Sequence, residues 1–463
     1  MMKPKSGFVD EGNMALLTDL YQLTMDASYH HHSRNELSTF DYFIRKLPEN
    51  RSYFVVSGLE QVLHYLGNLH FDEGSISYLR SRNLFSEEFL GYLGSFRFTG
   101  GVRAMPEGTV AFPGEPIISI TAPRSEAQLV ETYLLNVMNF QTMVASKASR
   151  IVDAANSKKV VDFALRRAHS QTAGMQAARA AYIAGVAGTS NVLAGKEFNI
   201  PVFGTMAHAY VMSFDSEVDS FRAYSGTFGD SSVFLIDTYD TLQGAKNAIA
   251  VAKEMEKVGK RLKGVRLDSG DLCGLSREVR VMLDGSGLGY VIIVASNDLN
   301  EYKISELEKN GACIDMYAVG TEMGTSKDAP ALSGVYKLVE DTDSGGNVVP
   351  RMKLSEGKST LPGKKQVCRV FDSEGKSLRD VIATAGEPCE GQPLLEAYME
   401  NGNLVKELPE LEEVRSRKEL QLRSFSRGCT RMESPESYEV GISGKLSSLR
   451  QQVAEKMGGK GWV

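Results

Sequence analysis

The segment Gly204-Thr205-Met206-Ala207-His208 follows the apolar run Ile200-Pro201-Val202-Phe203, so a strand-like stretch hands one histidine to a small-residue turn. The C-terminal ends of parallel strands are where α/β barrels gather catalytic groups, on loops held by packed strands. An imidazole placed there can exchange protons, bind a metal or attack phosphorus. The competing reading is a hydrogen-bonded structural histidine, and its company decides between the two. Five other short β-branched runs end in comparable groups. Val160 to Phe163 carries Asp162-Phe163 and leads to Arg166-Arg167, and Val233 to Asp237 continues as Thr238-Tyr239-Asp240. Gly264 to Leu267 carries Arg266 and runs into Asp268-Ser269-Gly270-Asp271. Val291 to Ala295 ends in Ser296-Asn297-Asp298, and Met316 to Val319 in Gly320-Thr321. Helix capping accounts for the Asp, Ser, Thr and Asn residues in part. It does not account for the arginines. Arginines and aspartates around one rim suit a polyanion carried with Mg²⁺.

Three positions admit specific jobs. The planar fork of Arg266 can bind a carboxylate bidentately, or it can bridge Asp268 and a neighbour as a structural ion pair. Gly320 to Ser326 can form a backbone nest for phosphate, or a plain turn. Phe163 and Tyr21 can stack on a flat heteroaromatic ring, or lie in the core. No Walker A motif or G-x-G-x-x-G fingerprint occurs, so a nucleotide must bind in some other way.

These groups need a scaffold, and the chain is long enough to supply one. Its 463 residues, 42% hydrophobic, can bury a large core divided into two or three domains. The six runs recur at the spacing of βα units, with helices such as Thr241 to Val258 between them. They predict a parallel α/β barrel. The first ~120 residues mix helix, strand and turn. Thr39 to Phe43 reads as a strand, Gly108 to Ala122 as a hairpin turning at Pro113-Gly114, and Ser125-Glu126-Ala127-Gln128 as a capping box before a helix reaching Ala155. Asp341 to Gly346 reads as a turn-rich boundary before a C-terminal region of short strands and charged helices. The domain limits are therefore 1–135, 136–340 and 341–463.

A net charge of -6 without a basic run argues against nucleic acid as a partner. The apolar runs are too short to span a bilayer, and Met1 to Leu20 lacks an apolar signal core. Five cysteines without a C-x-x-C pair read as buried free thiols in a reducing compartment. A soluble cytoplasmic protein is expected. His30-His31-His32 reads as a surface loop, because adjacent side chains point apart and rarely chelate one ion.

The blocks Thr18-Asp19-Leu20-Tyr21-Gln22, Arg45-Lys46-Leu47-Pro48, Arg166-Arg167-Ala168 and Ala187-Gly188-Thr189-Ser190-Asn191-Val192-Leu193-Ala194-Gly195 are joined by Gly204 to His208, Val265 to Asp271 and Ser333-Gly334-Val335-Tyr336-Lys337-Leu338. Together, from Tyr21 to about Lys365, they resemble nicotinate phosphoribosyltransferase. Past that the likeness thins, apart from Pro362-Gly363-Lys364-Lys365, and His30 to His32 and His169-Ser170-Gln171 depart from it. The resemblance implies a type II phosphoribosyltransferase fold: an irregular seven-stranded α/β barrel, an N-terminal α+β domain and a C-terminal extension packing on it. It implies a homodimer with shared sites that condenses nicotinate with 5-phosphoribosyl 1-diphosphate, coupled to ATP hydrolysis with Mg²⁺, in NAD synthesis.

By the same resemblance His208 is the phosphorylated histidine, with Asp237 and Asp268 as acidic partners. Tyr21 (from the partner subunit), Phe163, Ser190, Thr205 and Arg266 bind nicotinate. Arg45 and Lys46, also from the partner, with Arg166, Asn297, Gly320 and Thr321, bind the phosphoribosyl diphosphate. The metal ligands stay open. Ser190 favours the acid over the amide: nicotinamide-using relatives carry an aspartate there, which would repel the nicotinate carboxylate. An ordinary loop serine is the plainer reading. The rivals are a nicotinamide-using enzyme and an inactive ligand-binding relative. Quinolinate-using relatives are shorter and lack the His208 block, and an aldolase would need a strand-end lysine, which no barrel strand has.

Overall fold

A computed structural model describes residues 7–355 and 357–458, so the first six residues of the opening Met1 to Leu20 stretch lie outside the described residues. The chain divides into two compact units, residues 144–330 and residues 1–143 with 331–463.

In the 144–330 unit, five of the β-branched runs form parallel strands: Lys159–Asp162 (β1), Val233–Leu235 (β2), Gly264–Leu267 (β3), Ile292–Ala295 (β4) and Met316–Val319 (β5). Their spatial order is β1-β5-β4-β3-β2. Two isolated parallel bridges, Asp162 to Thr189 and Thr189 to Val202, add two more segments beside β1, giving seven. The run expected over Val202 to Gly204 shrinks to that one bridge, and the Thr189 segment was not anticipated. Ala187-Gly188-Thr189 lacks a β-branched run, and Gly188 is there for close approach: a Cβ would lie 2.3 Å from the Pro201 carbonyl oxygen. Phe234, Leu235, Val265, Leu267, Ile293, Ala295, Tyr317 and Val319 are buried. Such side chains stabilise the sheet by roughly 1.5–3 kcal/mol each. Helix Thr241–Lys257 lays Ala245, Ala248 and Ala252 inward, so it packs closely, and Asp240 caps its Gln243 N–H at 2.7 Å.

The other unit is built on an antiparallel sheet in the order Val348–Pro350, Gly334–Thr342, Leu37–Ile44, Ile118–Pro123, Gly101–Ala104, Glu396–Glu400 and Asn403–Leu404. Asp343 to Gly346 is the turn of a hairpin in this sheet. The hairpin expected over Gly108 to Ala122 does not form. Val110–Ala111 pairs with Phe54–Val55, whereas Ile118–Pro123 joins the large sheet, because Gly114 and Ile117 donate to Ile44 and Tyr42 instead. Nor does Ser125 cap a helix. Helix Arg124–Leu129 starts one residue earlier and Asn35, distant in sequence, accepts the Ser125 N–H at 2.9 Å. A separate long helix, Glu131–Ala154, follows.

The histidine triplet is not a loop. His30 and His31 end helix Leu20–His31 and His32 is its C-cap, a place where histidine complements the helix dipole. His30 is half-buried against Tyr92, ring centroids 5.0 Å apart. The cysteine expectation also needs correction. Cys368 and Cys389 form a disulfide, and Cys273, Cys313 and Cys429 are free but only half-buried. Cys368 lies in strand Lys365–Phe371, and its pairing with Gln392–Pro393 brings Cys389 to a Cα separation of 5.7 Å, within disulfide reach. Spacing rules for vicinal cysteines are blind to a pair that a sheet brings together. Among the described residues no helix is long and apolar enough to cross a membrane.

Candidate active site

Residues at the strand ends of the 144–330 unit converge on one mouth. Arg266, on β3, is buried and donates from Nη1 to the Thr205 hydroxyl at 2.8 Å and the Met206 carbonyl at 3.3 Å, and from Nε to Ser296 at 3.1 Å. Its Nη2 lies 3.3 Å from Asp268 Oδ2. The ion-pair bridge weighed for Arg266 therefore exists. It leaves one Nη2 hydrogen for a ligand, because Nη1 spends both of its hydrogens on Thr205 and Met206 and Nη2 one of its two on Asp268. Asp268 also lies 3.5 Å from His208 Nε2 and accepts from the Ser296 hydroxyl. His208 opens helix His208–Met212, and its Nδ1 is 3.1 Å from the Thr238 hydroxyl just past β2. Thr205 and His208 follow the outermost bridge segment, while Thr238 follows β2 at the opposite edge of the sheet and Arg266 lies on the neighbouring β3. Side chains thus span the gap between the first and last members of the ring.

The second acidic residue, Asp237, accepts from the Asp268 N–H at 2.9 Å and the Ser269 hydroxyl at 2.6 Å, both through Oδ2. Its Oδ1 and Glu217 Oε1 are buried oxygens without a hydrogen-bond partner among the described residues. Burial raises the Glu217 carboxyl above its ordinary range, and although Asn247 pulls it back, Asp237 and Asp240 add to the rise. This wall is rich in negative charge. Among the described residues no group of three or more His, Cys, Asp or Glu is arranged to hold a metal. A free Asp237 oxygen instead fits Mg²⁺ brought in on phosphate oxygens, the usual mode for that ion.

Phe163 places its ring 5.8 Å from the Arg266 guanidinium carbon. Ser190 is half-buried and its N–H donates to the Asp162 carbonyl at 2.8 Å. Arg166 is exposed in the short turn Leu165–Arg167. Gly320 and Thr321 start the turn Thr321–Gly324, with the Gly320 carbonyl taking the N–H groups of Met323 and Gly324. Asn297 is exposed with φ +98°, a strained backbone for a side-chain-bearing residue. Tyr21, Arg45 and Lys46 belong to the other unit. Tyr21 is half exposed in the first turn of helix Leu20–His31, and Arg45 and Lys46 follow strand Leu37–Ile44.

Sequence reasoning placed Thr238, Ser269, Ser296 and Asp162 at strand ends but gave them no role in supporting the site. Their strand-end positions were the available signal. Asp162 is buried at the end of β1, where Oδ1 accepts the Ala164 N–H and Oδ2 the Thr189 hydroxyl, both at 2.7 Å. It thereby fixes the turns that carry Phe163 and Ser190. Burial pushes its carboxyl above the ordinary range while those two hydrogen bonds oppose the rise. A raised carboxyl makes its stabilising contribution at low pH and loses it as pH climbs through the native value. Asp162→Asn turns an NH₂ toward one of two donors and should cost about 1–3 kcal/mol. Melting curves of the two proteins should diverge most in acid and draw together toward neutral pH. A gap that widens with pH would refute this.

Three family models match the chain: the nicotinate phosphoribosyltransferase N-terminal domain over residues 16–139, the nicotinate phosphoribosyltransferase family over 158–316 and the C-terminal domain over 387–450. The last covers a region where the sequence reading found the likeness thin. A nicotinate phosphoribosyltransferase of Mycobacterium tuberculosis is 44% identical over 94% of both chains, and one of Bacillus subtilis 40% identical over 96% of both. The crystal structure of human nicotinic acid phosphoribosyltransferase superposes with a TM-score of 0.85 at 29% identity, over 94% of this chain and 99% of that one. A nicotinate-nucleotide pyrophosphorylase from Pyrococcus furiosus gives 0.73 at 25% identity, over 91% and 99%.

Proposed function

The chain belongs to the nicotinate phosphoribosyltransferase family, a type II phosphoribosyltransferase fold, and from that premise we propose how its own residues carry out the transfer. The activity is the condensation of nicotinate with 5-phosphoribosyl 1-diphosphate to nicotinate mononucleotide and diphosphate, a step of NAD synthesis. The observation that carries the residue assignment is the continuous chain of hydrogen-bond and ion-pair contacts from Thr205 through Arg266 and Asp268 to His208.

The pyridine nitrogen attacks C1 of the sugar as the bond to diphosphate breaks, through an oxocarbenium-like transition state. The nitrogen is already nucleophilic, so orientation matters more than a base. Arg266 holds the nicotinate carboxylate, and the Thr205 hydroxyl that now occupies Nη1 is placed to share it. Phe163 and the partner subunit's Tyr21 hold the ring plane. The Ser190 hydroxyl donates to the carboxylate end without adding negative charge. The leaving diphosphate is met by Arg166 and by the partner subunit's Arg45 and Lys46, while Gly320, Thr321 and the strained Asn297 hold the sugar phosphate. Asp268 and Asp237 face the ribose hydroxyls and His208. Mg²⁺, with Asp237 as its protein carboxylate, offsets phosphate charge when bound.

His208 accepts the γ-phosphoryl group of ATP: neutral imidazole nitrogen bonds to phosphorus as the bond to ADP breaks, and water later takes the phosphoryl group. Asp268 beside Nε2 and Thr238 beside Nδ1 set which nitrogen carries the proton. The working form is a cytoplasmic homodimer that shares its sites and needs neither nucleic acid nor membrane. Mass detection of nicotinate mononucleotide, with and without ATP and with nicotinamide as the competing base, tests the reading. Product from nicotinate, stimulated by ATP, is expected. Faster turnover of nicotinamide would favour the amide-using rival, and no product from either base the ligand-binding one.

A further inference from the structure

Two blocks of which the transfer chemistry uses only Tyr21, Thr18 to Gln22 and Ser333 to Leu338, meet at one buried carboxylate. Glu131, at the start of the long helix, is only 8% exposed. Its Oε2 accepts from Gln22 Nε2 at 3.0 Å and Gln128 Nε2 at 3.1 Å, and its Oε1 lies 3.5 Å from Lys337 Nζ. Gln128 also donates to Gln22 Oε1 at 2.8 Å, so the side chains of Gln22, Gln128 and Glu131 close a ring. One turn along, Asp19 is pinned twice by Thr132: its N–H reaches the hydroxyl at 3.3 Å, and its Oδ2 accepts from that hydroxyl at 3.0 Å. Tyr21 lies between these two anchors with its ring half exposed. Helix Leu20–His31 has no side-chain cap of its own, so beyond the bond from the Gln22 N–H to the Asp19 carbonyl its first turn is held by these tertiary side-chain bonds.

We propose that Glu131 is a positioning residue for nicotinate binding, holding Gln22 and hence Tyr21 in the pose that presents the phenol ring to the base. The inference rests on the reading of Tyr21 as a ring-stacking residue. It explains why a helix start and a strand some 300 residues away both carry family blocks: Gln22 and Lys337 are the two sides of one clamp. The carboxylates' proximity is felt at Tyr21 itself, whose phenol is raised first by burial and then by Glu131 and Asp19. A buried carboxylate that satisfies three donors rigidifies its surroundings, and deleting it frees them all together.

Glu131→Ala and the near-isosteric Glu131→Gln, compared with Tyr21→Ala, test the clamp. Glu131→Ala should raise the nicotinate KM about ten-fold while the phosphoribosyl diphosphate KM stays within about two-fold, the signature of a misplaced contact. Glu131→Gln should recover part of the loss, since one oxygen still accepts from Gln22. Amide hydrogen exchange over residues 19–24 should quicken in both variants, which also covers the case of a poorly folded alanine variant. If both KM values rise together, or if exchange over residues 19–24 is unchanged in Glu131→Gln, the clamp is refuted. A silent Tyr21→Ala would instead remove the stacking premise, so the two failures are distinguishable.

Discussion

His208→Ala should abolish ATP stimulation and phosphoprotein formation, leaving slow product formation from nicotinate and 5-phosphoribosyl 1-diphosphate. The physical reason is that the imidazole is the group that accepts phosphorus, whereas the transfer itself needs only an oriented pyridine nitrogen and a neutralised leaving group. The loss should show as disappearance of acid-labile phosphate after exposure to labelled ATP. It should also show as a turnover rate that no longer responds to ATP. Removing the ring leaves the Thr238 hydroxyl and Asp268 in place, because Asp268 stays tied to Arg266 and Ser296. A variant stimulated fully by ATP would remove His208 from its role.

Arg266→Lys should raise the nicotinate KM about ten- to a hundred-fold, the loss of one hydrogen bond to a charged group being worth about 1.5–3 kcal/mol. The phosphoribosyl diphosphate KM should move by no more than about three-fold, since uniform binding of the other substrate is untouched. Lysine can keep the ion pair with Asp268, but a single ammonium cannot also span Thr205, the Met206 carbonyl and Ser296 as the fork does. Steady-state kinetics with each substrate varied in turn decides the matter. Equal changes in the two KM values would mean that Arg266 only braces the rim.

Much of the barrel is legible from local pattern. Gly264–Leu267 and Met316–Val319 fall where the β-branched runs place them, and helix Thr241–Lys257 ends one residue from its expected limit. These elements announce themselves because β-branched runs and helical periodicity favour each conformation locally, whichever strand the element later pairs with. The rim residues Asp237, Arg266 and Asp268 are legible for the same reason: strand ends carry polar groups, and arginine there has no capping duty. The disulfide, the Val110–Ala111 pairing and the Asn35 cap were not legible. Each joins segments through the sheet rather than along the chain.

Residue types and the order of the blocks were enough to specify the chemistry on offer: one imidazole, a guanidinium fork, paired carboxylates and flat rings. The partners of those groups came from folding. Strand β1 lies beside β5 although they stand at opposite ends of the barrel sequence, and Arg266 meets Thr205 across 61 positions. Such meetings depend on which strand edges pair and on side chains bridging the ring's seam. No local periodicity encodes either, because hydrogen-bonded strand edges are alike in every segment and only the packing of the whole unit selects among them.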